Sequence, residues 1–355
     1  MRPNLFDFRQ ILPAAFAVLF VALTGAPVVN AASCSTQAQM NAAQRDSIVN
    51  AAKTLAMQVQ SGDLQGLRAN TLPAVAADFG GIQQSVQSLT PVLQHATMTV
   101  NSLYLLDAST DPPDAQRTDF FCGSPVVGFN FSGLPPGTYA VAMMHATGVP
   151  KPQQISLILA KSADNRWRLA GFFDRPMILA GHDGTWYWQT ARKYAQDNQK
   201  WGAWFYYRIA TDLLNPVDFV ASPNLEKLRR ETDQVHADLP APTGPLAISI
   251  NGSTYQVTSV DTTTALGPLD LEVHYNPDPT QLAALRSPVV ARKQVSDLMA
   301  ALLVAHPELR NAFQGMWLHA DQGNASLFAL ELPMSASTPG AQLTAPGGIS
   351  STAHP

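Results

Sequence analysis

Tyr104, Asp107 and His145 are residues of this chain whose types, and whose expected places on neighbouring strands, could serve to move a proton. A tyrosine, a histidine and a carboxylate that meet in one pocket can take a proton from a small apolar substrate and return it elsewhere. Tyr139, Val141, Met143 and His145 alternate onto one face of a strand, Tyr104 lies on another strand, and Asp107 follows the end of that second strand. Against this stands the commoner role of a lone histidine on an apolar strand face. It satisfies one hydrogen bond at the edge of a core, and a tyrosine beside it is packing material. A second set is aromatic. Trp186, Trp188, Trp201, Trp204 and Tyr206 could form a recognition face, because Trp and Tyr are enriched where partners bind. At helical spacing such a stripe more often forms core, since a solitary helical hairpin has to bury one face somewhere.

Other chemistries leave no trace in the motifs. No glycine-rich phosphate loop follows a strand, and no HExxH, paired CxxC, calcium-loop or G-x-S-x-G pattern occurs. The eight histidines are scattered, none at ligand spacing from another on one helix, so neither a cofactor nor a metal is expected. Two cysteines exist, Cys34 and Cys122, and in an oxidising compartment an isolated pair is most simply a disulfide. Closing a loop of about 90 residues would contribute about 4 to 5 kcal/mol.

The compartment follows from the N-terminus. Arg2 and Arg9 precede an apolar run from Ile11 to Leu23, and small residues lead to Val29-Asn30-Ala31. That is the pattern of a secretory signal cleaved near Ala31, and the run is too short for a bilayer span of ~20 residues. The expected location is secreted or periplasmic. Lipoprotein anchoring at Cys34 is the lesser alternative, because Ala31-Ala32-Ser33 lacks the usual leading leucine. No later segment reads as a membrane helix. The chain carries a formal charge of −4, without the basic footprint that nucleic-acid binding requires. Charged residues make up 14% against 46% hydrophobic, which supports a well-buried core.

The elements that must position these residues can be read from periodicity. Ile48, Ala52, Leu55 and Val59 form one stripe of a helix over 37–61 that ends at Gly62-Asp63, and shorter helical stretches follow over 64–75 and 81–93. Met98, Val100, Ser102, Tyr104 and Leu106 then alternate. Further strands are expected over 119–123, 126–131, 138–147, 154–161 and 166–173, with turns at Pro135-Pro136-Gly137 and Asp164-Asn165. Helices followed by an antiparallel meander make an α+β domain. This order, with Ser61-Gly62-Asp63-Leu64-Gln65-Gly66-Leu67 as the turn between its first helices, resembles the cystatin-like cone of the nuclear-transport-factor and ketosteroid-isomerase superfamily. The resemblance implies an apolar pocket between helices and concave sheet, where Tyr104, Asp107 and His145 could act.

A helical pair follows from Trp186 to Pro216. Tyr187, Ala191 and Tyr194, then Ala203, Tyr207 and Ala210, with Asn215-Pro216 closing, resemble a single tetratricopeptide unit. No second copy follows. Ser222-Pro223 opens a third helix, and Pro240 to Pro245 is the clearest linker. Beyond it, strands over 246–250, 253–260 and 269–275, a helix from Ser287-Pro288 and a closing hairpin over 316–332 make a second, smaller α+β unit. The expected plan is a signal peptide (1–31), a cystatin-like α+β domain (32–180), a tetratricopeptide-like segment (181–239), a linker (240–245), a C-terminal α+β domain (246–334) and a disordered tail (335–355).

Taken together, the residues favour a secreted, non-catalytic binding or scaffold protein whose partner is a protein, a peptide or a small apolar ligand. Two alternatives stay open. One is a cofactor-free isomerase- or dehydratase-like enzyme acting in the front domain's cavity; the other is a structural component of an envelope assembly.

Overall fold

The computed structural model describes residues 32–123, 126–237, 246–250, 252–323 and 325–336. The expected signal peptide, the linker 240–245 and the expected tail beyond residue 336 lie outside the described residues. Helices and mainly antiparallel sheets succeed one another in the expected α+β manner.

The front of the chain runs β1 (Ser33–Thr36), α1 (Ala42–Ser61), α2 (Leu64–Ala69), α3 (Pro73–Ala77) and α4 (Gly80–Leu93), then β2 (Thr97–Asp107), β3 (Arg117–Cys122), β4 (Val127–Ser132), β5 (Thr138–Thr147), β6 (Gln153–Lys161) and β7 (Trp167–Pro176). A capping box starts α1: Asn41 accepts from the Gln44 backbone while Gln44 reaches back. Gly62 ends it at φ +70°, donating its N–H to the Gln58 and Val59 carbonyls, a left-handed cap that glycine adopts without a Cβ clash. The expected stripe of Ile48, Ala52, Leu55 and Val59 is buried.

The sheet departs from a simple meander. Its order is β1-β2-β5-β6-β7, so β2 pairs directly with β5 and the β3–β4 hairpin leaves the sheet. The sequence of β5 explains why. Tyr139 through Met144 are all buried, on both faces, and a strand of that kind needs a cover on each side. Ala140, Ala142, Met144 and Ala146 pack against Ile48, Leu55, Val86 and Leu93 of the helices. Tyr139, Val141 and Met143 pack against Phe120, Phe129 and Phe131 of the hairpin. The hairpin thus belongs to a second layer, a three-stranded sheet ordered β10-β4-β3. Its third strand, β10 (Val220–Ala221), arrives from much later in the chain. Cys34 on β1 and Cys122 at the end of β3 form a disulfide, which ties the edge of the first sheet to the second.

After β8 (Ile178–Leu179) and β9 (His182–Asp183) come α5 (Gly184–Gln196) and α6 (Lys200–Leu214), and α7 (Pro223–Ala237) follows β10. Asp183 caps α5 by accepting from the Trp186 N–H. The remainder contains β11 (Leu246–Ile250), β12 (Ser253–Thr263), β13 (Asp270–Asn276), α8 (Pro279–Ala284), α9 (Pro288–Ala305), α10 (Leu309–Ala312), β14 (Gly315–Gln322) and β15 (Ala325–Pro333). These strands form one sheet in chain order. β13 and β14 are parallel, and a parallel pair requires a crossover of this length, supplied by the three helices between them. Leu271, Val273 and Tyr275 of β13 and Met316, Leu318 and Ala320 of β14 face Val295, Leu298, Met299 and Leu302 of α9. The same core takes in Trp201, Phe205, Tyr206 and Ile209 of α6. Among the described residues no helix is long and apolar enough to cross a membrane.

His306, just beyond α9, sits against Trp201 with ring centroids 4.9 Å apart. Burial pushes its imidazole below the ordinary value of 6.5, outweighing the upward pull of Glu308. The unfolded chain therefore takes up this proton first as pH falls, and its share of folding stability is lost below pH 6.5. His306→Asn is expected to flatten the stability profile between about pH 7 and 5 in urea unfolding. An unchanged slope would remove His306 as a cause.

Candidate functional site

The three residues with proton-transfer chemistry are not brought together. Asp107 stands opposite Thr138 at one end of the β2–β5 ladder, and His145 stands opposite Thr99 near the other. The eight residue steps from Thr99 to Asp107 along one extended strand span about 25 Å. Asp107 is exposed, its carboxylate accepting from the Ser109 N–H at 3.0 Å. Tyr139, Val141, Met143 and His145 do share a face, but it is turned away from the helices toward the second sheet. The space between helices and sheet is filled by Leu55, Val59, Leu67, Leu93, Leu103 and Met144.

The aromatic set divides. Trp201, Trp204 and Tyr206 are buried in the core that joins α6 to the C-terminal sheet. Tyr206 donates to the Ala312 carbonyl at 2.7 Å, and Tyr194 donates to that of Asn311 at 2.9 Å. Trp186, 37% exposed, stacks on His182 at 3.6 Å. Trp188 turns the other way, toward the front module.

There Trp188 and Tyr104, read from two different patterns, meet in one cleft of about 520 Å³. One wall is the outer face of the first sheet and its covering hairpin: Tyr104, Met143 and Val127. The opposite wall is α5, with Thr185, Trp188 and Arg192; Leu214, Pro216, Val220, Ser222, Asn224, Leu225 and Lys227 close the rest. Tyr104 is held edge-on to Phe129, centroids 4.9 Å apart, and burial raises its hydroxyl above the usual pKa, so it stays a neutral donor.

Glu231 of α7 fixes the α5 wall. Its Oε2 accepts from Trp188 Nε1 at 2.7 Å and Arg192 Nε at 2.8 Å, and its Oε1 accepts from Arg192 Nη2 at 2.9 Å. The Tyr207 hydroxyl donates to Oε2 at 3.3 Å. Burial pushes the Glu231 carboxyl up, but the bonds from Arg192 and Trp188 outweigh it and hold the group below the usual range. A bidentate guanidinium–carboxylate pair is the geometrically specific form of this interaction. Arg192 also lies over the Trp188 ring at 4.3 Å. The indole is thus locked on one edge and covered on one face. Arg192 and Lys227 line the cleft, and among the described residues no carboxylate does.

A larger, more open groove of about 770 Å³ lies between the edge strand β11 and the end of α9. Leu246, Ile248, Ile250, Leu302 and Val304 line it, with Asp297 and His306 as its ionisable residues. It lacks the fixed polar wall of the smaller cleft.

Two scattered histidines do meet. His274 and His319 stand side by side on β13 and β14, and with Glu272 they offer three ligand atoms within 4.8 Å of one another. Sequence reasoning sought ligand pairs on helices and missed this one. The available signal was the alternation Glu272-x-His274 and His319-x-Asp321, which places each pair on one face of its strand.

No protein-family model, no curated protein and no solved structure matches this chain.

Proposed function

We propose that the protein is an exported, non-catalytic binding protein that takes a small ligand with an apolar body and one anionic group in the cleft between the front module and α5. The lining carries this reading: an apolar floor of Met143, Val127 and Leu225, an indole locked by Glu231, and two cations with no carboxylate. Glu231 pairs with Arg192 and also feels the charge of Lys227, so these three groups leave one net positive charge, which Lys227 carries at the rim. The disulfide and the Arg2–Ala31 leader pattern support export.

The test uses 8-anilinonaphthalene-1-sulfonate, an aromatic body with one sulfonate, titrated into the full chain by fluorescence. One probe per chain is expected. Lys227→Ala should weaken binding about tenfold at low salt, the worth of one charge-assisted contact, and remove most of the salt dependence. Val127→Trp, which fills the cleft, should abolish it, and Trp186→Ala should leave it unchanged. Fluorescence that survives Val127→Trp and disappears in Ala301→Trp would move the ligand to the groove beside β11 and defeat the proposal.

A further inference from the structure

We infer that Glu272, His274 and His319 form a binding site for a late first-row divalent metal ion, zinc in the first instance, on the face of the C-terminal sheet turned away from α9. The site is separate from the cleft, and neither depends on the other.

The geometry is set by the parallel pairing of β13 and β14. Their register puts His274 directly beside His319, and the imidazole planes stack 4.4 Å apart at 12°. Both rings present Nε2 to the same carboxylate oxygen: Glu272 Oε1 lies 3.6 Å from His274 Nε2 and 3.2 Å from His319 Nε2. Those separations match the edges of a coordination polyhedron whose metal–ligand bonds are about 2.0 to 2.2 Å. His319 Nε2 is shut off from solvent and, although Glu272 Oε1 lies 3.2 Å away, makes no aligned hydrogen bond, an arrangement that costs free energy unless something else engages the nitrogen.

The other nitrogens are held as metal-binding histidines require. His274 Nδ1 is 2.7 Å from Asp321 Oδ2, and His319 Nδ1 is 3.4 Å from Ser326 Oγ. A carboxylate oxygen accepts, so with Asp321 as partner His274 Nδ1–H is the donor and Nε2 is left with the lone pair. A carboxylate behind a histidine in this way orients the ring and raises its basicity toward the metal. The surroundings favour a cation: β13, β14 and β15 together carry four carboxylates (Asp270, Glu272, Asp321 and Glu331) and no lysine or arginine. Two imidazoles and one carboxylate suit zinc, cobalt or nickel better than calcium or magnesium, which prefer all-oxygen shells. Three protein ligands leave a coordination position open, and the side chains of Glu272 and His274, each 29% exposed, leave it reachable from solvent.

The decisive experiment is a titration of the metal-stripped full chain with Zn²⁺ against a chromophoric chelator, with Co²⁺ absorption as a second readout. One Zn²⁺ per chain is expected, Co²⁺ should give visible d–d bands, and Ca²⁺ should not compete. His274→Asn combined with His319→Asn should abolish both signals. Asp321→Asn keeps every ligand and loosens only the ring, so it should weaken binding about 10- to 100-fold. His306→Asn, away from the site, should bind as the parent does. Far-UV circular dichroism without metal reports whether each variant folds, and Asp321→Asn carries the test if the double variant does not. No Zn²⁺ uptake at roughly 100 μM, a level far above any useful affinity, would overturn the inference, as would full uptake by a folded double variant or parent-like affinity in Asp321→Asn.

Discussion

Replacing Cys34 and Cys122 together by alanine is expected to lower the unfolding free energy by about 4 kcal/mol, measured by urea denaturation. The bond closes a sequence separation of 88 residues, and in the chain-entropy description a loop of that length restrains the unfolded chain by about 4 to 5 kcal/mol. Its position adds to the effect. β1 is four residues long at the edge of the first sheet, and the bond is what joins it covalently to β3. Cys122 is 1% exposed, so alanine there also leaves a small void beside Phe120 and Phe129. The parent under reducing conditions should lose a similar amount, which separates the cross-link from side-chain packing. A loss below about 1 kcal/mol would mean that the unfolded chain is already restrained between these two positions.

Phe205→Ala is expected to cost about 3 to 5 kcal/mol, the range for truncating a fully buried aromatic. Phe205 is 1% exposed. Its ring touches Trp204 at 4.8 Å, Phe313 at 5.6 Å and Trp201 at 6.0 Å between centroids. Phe313 belongs to the segment between α10 and β14, so the cavity would open where α6 meets the C-terminal sheet. The comparison is Phe121→Ala, 70% exposed on β3, where a change within about 0.5 kcal/mol is expected. Equal losses at the two positions would show that the α6 core tolerates the void by collapsing around it.

These cores explain how much of the molecule can be read from its residues. The α1 stripe and its glycine stop are local, because a period of 3.6 and a left-handed cap are properties of neighbouring residues. The disulfide is legible for another reason: with two cysteines there is one pairing. Alternation in β2 through β7 gives the strands and the side each residue takes, but it does not say which strand lies beside which. That β2 skips the β3–β4 hairpin to pair with β5 depends on β5 being apolar on both faces, so that Phe120, Phe129 and Phe131 have something to cover. The cleft was legible only as two unrelated residues, Tyr104 and Trp188, because its walls come from segments more than 40 residues apart. The metal-ligand trio shares that difficulty, since only the parallel register of β13 and β14 places His319 beside His274.

β10 carries a consequence for how the chain is made. Val220 and Ala221 pair with Phe129 and Gly128 of β4, and the Phe219 ring lies 4.7 Å from Phe131 and 5.4 Å from Phe173. Synthesis reaches the end of β7 at Pro176 and must continue through both helices of the hairpin before this cover exists. At 5 to 20 residues per second that interval is roughly 2 to 9 s. A front module that begins to fold before β10 is in place presents an unpaired β4 edge flanked by phenylalanines, the kind of surface that recruits a second copy or a holding chaperone. The covalent order of the segments and the order in which they can become solvent-proof are therefore different, and the front layer is finished by residues that emerge after the helices behind it.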